Sequence, residues 1–251
     1  MKQQWERKIR VIYLTLVALF GLAHHQVHSQ SGTVSIENFP NSERLSPSRF
    51  DSLLQEYGRN KSLPAGYEQQ AILALSHFPE LKNTSIVFRF HKSHATLKTR
   101  IQTSSLLNDK KKRFFVITIS SRTVDKLEPV RFSNMNFDAQ VGILGHEISH
   151  VLDFSEKNLW QCTITGMKHT SPAYVDSLEF HTDMITIQHG LGKELYAWSS
   201  FIRKTMHVQY WRGADYVNDT HNTVERYMNP DTILRKMTEY ESGNTKHSGQ
   251  N

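Results

Sequence analysis

The chain has 251 residues, 38% of them hydrophobic and 22% charged, which suits one domain with a sizeable core and is marginal for two. Its 30 Lys and Arg against 24 Asp and Glu give a formal +6; Lys2, Arg7, Lys8, Arg10 and the acid Glu6 lie in the first 29 positions, so +3 remains beyond them. That excess is too small to argue for a nucleic-acid partner, and a single cysteine, Cys162, excludes an intramolecular disulfide and a Cys-rich scaffold.

Residues 1–29 read as a signal peptide. A basic start is followed by the apolar run VIYLTLVALFGLA (Val11–Ala23), short against the roughly 20 residues a spanning helix needs. Val27 and Ser29 favour cleavage after Ser29, and Gly21 and Ala23 offer a second point before His24. The chain is therefore expected to be exported, periplasmic or secreted, with no stable membrane insertion after leader removal. An uncleaved N-terminal anchor is the alternative.

Residues 30–84 form a lead-in plus helices that pack on the core. Ser, Asn and Pro dominate 30–48, while PSRFDSLLQEYG (47–58) and GYEQQAILALSHFPE (66–80) carry apolar residues at helical spacing. The main domain spans 85–241. SIVFRFHK (85–92) and RFFVITIS (113–120) read as strands, with ATLKTRIQTS (95–104) a weaker third. Lys110–Arg113, between two strand-like runs, reads as a solvated hairpin turn rather than a phosphate site, and Cys162 as a partly buried, inert thiol. A disordered tail is expected over 242–251. There is no internal repeat.

The helix FDAQVGILGHEISHVLDF starts at Asn136 or Asp138, either of which can cap it. At about 100° per residue, His150 lies about 40° and Glu147 about 100° round from His146. Val141, Leu144, Ile148, Val151 and Leu152 fall on the opposite side and form an apolar back. Gly142, Gly145 and Ser149 make a small-residue stripe where another element can approach closely.

Two histidines at i and i+4 can bring both Nε2 atoms to one Zn²⁺, with Glu147 placed to take a proton from a water. A catalytic zinc usually takes three protein ligands. The helix SPAYVDSLEFHTDMITIQHGLG (171–192) offers Glu179 as the third and Asp183, on the same face, as acceptor for the Nδ1–H of a ligand histidine, first of all His146. His181 sits about 200° from Glu179 and cannot share its metal. His189 belongs at the helix end, and His169 in the intervening loop stays an alternative ligand.

HEISH followed by EFHTD resembles the HExxH plus ExxxD arrangement of the gluzincin-type zinc metallopeptidases, over roughly residues 85–190. The resemblance implies an α+β, zincin-like catalytic domain: a small mixed sheet packed on the HExxH helix, followed by the glutamate helix. It makes His146, His150 and Glu179 zinc ligands, Glu147 the general base and Asp183 the hydrogen-bond partner of a ligand. RFFVITIS becomes the edge strand that receives an extended peptide. One departure is Thr182, where related families often carry alanine.

The implied activity is hydrolysis of peptide bonds in a peptide or protein substrate, with zinc as cofactor. For the oxyanion, HNTVERYMNPDTI (221–233) offers His221, Arg226 and, as first choice, Tyr227. A zincin-fold binding or adaptor protein without turnover is the alternative; retention of Glu147 argues against it. A di-iron bundle would need a second E-x-x-H on another helix, and there is none. Substrate preference, subfamily and oligomeric state leave no mark in the sequence.

Overall fold

A four-stranded sheet and one long buried helix position everything that follows. The structure, a computed structural model, describes residues 44–106, 108–216 and 223–248. The signal peptide expected at 1–29, most of the lead-in, and His221 lie outside the described residues.

Helix α1 (Pro47–Tyr57) begins at Ser46, whose hydroxyl accepts from the Arg49 N–H at 3.4 Å, with Pro47 at the first position. It is followed by β1 (Lys61–Ser62), α2 (Glu68–Ser76), β2 (Ser85–His91), β3 (Leu97–Ile101) and β4 (Phe114–Ser120). The remainder is helical: α3 (Phe137–Glu156), α4 (Leu159–Lys168), α5 (Pro172–Gln188), α6 (Gly192–Met206) and α7 (Pro230–Ser248). The architecture is thus mixed α+β. No described helix is long and apolar enough to cross a membrane.

The sheet order is β1-β2-β4-β3, with β1, β2 and β4 parallel and β3 antiparallel to β4. All three strands read from the sequence are present, but their order corrects the expected edge. RFFVITIS is an interior strand, paired on both sides, with Phe115 through Ser120 all buried. A continuous run of aromatic and β-branched residues suits a strand covered on both faces. The edge beside it is β3, whose LKTRI buries Leu97 and leaves the other residues partly or wholly exposed.

The connection from β3 to β4 is a long hairpin containing Lys110–Lys112, as expected of a charged turn. Arg113 does not belong to its solvated part. It is buried, and its Nη1 donates to the Phe154 carbonyl at 3.2 Å and the Lys157 carbonyl at 2.6 Å, tying β4 to the end of α3. Cys162 is half-buried and free.

Every residue of α3 from Ala139 to Leu152 is buried. The apolar back (Val141, Leu144, Ile148, Val151) is completely so, and the helix packs against α2, α5, α6 and β3. The small-residue stripe does what its composition implies. A Cβ on Gly142 would fall inside the carbonyl of Glu194, so the backbones of α3 and α6 touch there. A Cβ on Gly145 would meet Leu191, and Ser149 Oγ lies 2.9 Å from Thr186 Oγ1 of α5.

Helix α7 continues to Ser248, past the point where a disordered tail is expected. Ile233 anchors its first half in the core and Met237 packs on Gly192. Once that part is fixed, each further residue adds a backbone hydrogen bond at little nucleation cost.

Candidate metal centre

Asn136 is the residue that starts α3: its Oδ1 accepts from the Ala139 N–H at 2.8 Å. Ten residues on, His146 and His150 stand one turn apart on the same face, ring centroids 4.9 Å apart and planes perpendicular. Helix α5 starts after Ser171 with Pro172 at its first position and stops at Gly190, whose φ of +79° ends the helix. Its length carries Glu179 across to α3. Glu179 Oε2 lies 3.0 Å from His146 Nε2 and 3.2 Å from His150 Nε2. These three ligand atoms lie within 4.8 Å of one another, so the group could hold a metal ion.

What stands behind the histidines decides how they present themselves. His146 Nδ1 donates to Asp183 Oδ1 at 2.8 Å, and Asp183 Oδ2 accepts from the Met228 N–H at 2.7 Å. His150 Nδ1 faces Thr182 Oγ1 at 3.3 Å. With both Nδ1 atoms engaged there, both Nε2 atoms turn lone pairs toward Glu179, itself an acceptor when ionised. Three acceptors meeting at a buried point need a shared cation or a proton. That donor set, two imidazoles and a carboxylate, fits a divalent metal such as zinc.

Without a metal the charge of the group is met by protonation. Burial alone would depress the His146 pKa, but hydrogen bonds to Asp183 and Glu179 overcome it and raise the value to about 10. Burial likewise acts to raise the Glu179 pKa; the charge of His150 and the hydrogen bonds from both imidazoles outweigh it and hold the carboxyl well below its ordinary range.

Glu147 is buried and faces the same cavity. Burial raises its pKa, against the opposing influence of His150, His146 and Thr99. Thr99, on edge strand β3, places its hydroxyl 2.7 Å from Glu147 Oε2 and 3.0 Å from the Glu147 carbonyl. The cavity measures about 370 Å³ and runs along His94–Thr99 on one side, with Trp198, Ile202 and Tyr227 across from them.

Tyr227 sits before α7 rather than on it, its ring 5.6 Å from those of His146 and Trp198. Enclosure pushes its pKa well above the ordinary phenol value, so it remains a neutral O–H. Arg226 also lines the cavity, its Nε donating to Asp176 at 2.6 Å. His169 lines the mouth but stands outside the donor group, and His181 is exposed on the far side of α5. His189 closes α5 through the Ile185 carbonyl and stacks on Phe78 at 4.5 Å.

Sequence reasoning did not find Thr99, Trp198 or the hydroxyl of Thr182 as parts of the site. Thr182 had a signal: it directly precedes Asp183 on the ligand helix. Thr99 had none, because its approach to Glu147 depends on the order of strands. Compared with known proteins, the chain matches no family model, no curated protein and no solved structure.

Proposed function

We propose that this chain is an exported zinc metallopeptidase of the gluzincin type, with His146, His150 and Glu179 as ligands. The observation that carries the reading is the convergence of three acceptor atoms within 4.8 Å, with Glu147 beside them in the same cavity. When bound, zinc supplies Lewis acidity that polarises a scissile carbonyl and acidifies water.

The chain's own residues do the rest. Glu147 takes the proton of the attacking water and hands it to the leaving amine; its raised pKa brings it nearer the working pH of a proton carrier. Thr99 holds the carboxylate in place. Tyr227, neutral and facing the cavity, donates to the carbonyl oxygen as negative charge develops there. The substrate is a peptide lying along β3, the edge strand next to the site, where His94–Thr99 border the cavity.

The test combines metal content with turnover. Purified protein is expected to hold about one zinc per chain and to lose peptide cleavage on chelation. Glu147→Gln is expected to keep the metal and lose on the order of 10²–10⁴-fold in kcat. Equal, negligible cleavage by both proteins would leave a metal-binding protein without turnover. A metal-free protein with an unchanged fold would end the proposal.

A further inference from the structure

We propose that Thr182 is the positioning residue for His150, holding it in the tautomer that turns Nε2 toward the metal. The inference rests on the metal centre of the preceding reading and not on hydrolysis.

A count of hydrogens leads to it. A threonine hydroxyl has one proton and can accept from other donors. Thr182 Oγ1 lies 2.9 Å from the Leu178 carbonyl, which can only accept, so the proton is spent there. Toward His150 Nδ1, 3.3 Å away, the hydroxyl must therefore be the acceptor, and Nδ1 must carry the hydrogen. Nε2 is then left with its lone pair on the side of Glu179. Thr182 is fully buried, so no bulk water competes for the contact.

Neighbouring bonds hold the backbone that carries the hydroxyl. Thr186 Oγ1, one turn on, donates to the Thr182 carbonyl at 2.9 Å, and Thr186 in turn meets Ser149 of α3. The seam between the two ligand helices is thus laced by hydroxyls. Consecutive residues of α5 divide the labour: Asp183 holds one imidazole with a carboxylate, Thr182 the other with a neutral oxygen. An alanine at 182 could not do this. The departure from the alanine of related families is, in this chain, a part of the site.

The experiment compares wild type, Thr182→Val and Thr182→Ser for Zn²⁺ affinity by competition with a chromophoric chelator. Valine keeps the volume and removes the oxygen; it is expected to weaken Zn²⁺ binding on the order of tenfold. Serine restores the oxygen and is expected to recover most of that tenfold loss. Equal affinity of the valine variant and wild type overturns the inference while leaving the metal centre standing. Failure of wild type to bind zinc overturns both. Should Thr182→Val not fold, ¹⁵N spectra of the zinc-loaded wild type decide: ligation of His150 through Nε2 with a protonated Nδ1 supports it, and ligation through Nδ1 overturns it.

Discussion

Helices α3 and α4 follow one another in the chain and could hardly be treated more differently by the fold. Fourteen consecutive residues of α3 are buried, including both histidines and Glu147. Within α4 only Thr165 is buried, while Trp160 is 71% and Met167 59% exposed. The difference teaches where rigidity resides. Two of the three candidate ligands stand on the helix that the core encloses, and the segment joining it to the second ligand helix, capped at Asn158 and Gln161, buries a single residue of its own helix.

The largest effect that sharpens this contrast concerns protons. His146 lies deep in α3 with its pKa raised to about 10, so a metal must displace its proton. Zn²⁺ affinity is expected to climb about tenfold per pH unit, hence about a hundredfold from pH 7 to 9, in chelator competition. Metal-free protein should respond with the opposite sign. A pKa raised above the unfolded value of about 6.5 contributes stability that is complete below that value and lost as pH rises through about 10. Thermal midpoints of loaded and metal-free protein should therefore diverge on the alkaline side; parallel curves would contradict the assignment.

Ile148→Ala, on the completely buried back of α3, comes next. It should cost about 2–5 kcal/mol in chemical denaturation, since the packed surroundings cannot collapse onto the cavity. Thr99→Val should leave metal content unchanged and lower kcat about tenfold or somewhat more, the worth of a hydrogen bond to a carboxylate. A change confined to KM would place Thr99 in substrate binding instead. The smallest effect belongs to α4: Trp160→Ala should shift stability by no more than about 0.5 kcal/mol. A loss matching that of Ile148→Ala would erase the contrast between the two helices.

Much of the site was legible because it is local. Spacings of four on α3 and α5 put His146 with His150 and Glu179 with Asp183, and helical periodicity alone carries such pairs to one face. The contact of Gly142 with α6 was likewise foreshadowed by its small side chain. What could not be read depends on distant partners. Strand order is settled by which surfaces α3 covers, so the apolar 113–120 stretch looked like an edge by analogy and proved interior. Arg113 appeared to continue a run of solvated lysines, yet the open carbonyls at the end of α3 draw it inward. The C-terminal segment beyond Ser242 lacks apolar residues and still extends a helix begun elsewhere.

Asp183 has two partners, and the second is made late. Its Oδ1 serves His146, while Oδ2 takes the main-chain N–H of Met228, 45 positions further along the chain. A polypeptide emerging from the ribosome presents HEISH and Glu179 long before that N–H arrives. The clasp behind His146 is thus closed by a residue synthesised well after both ligand helices. The second hold on Asp183 therefore exists only once the segment before α7 has folded back onto α5.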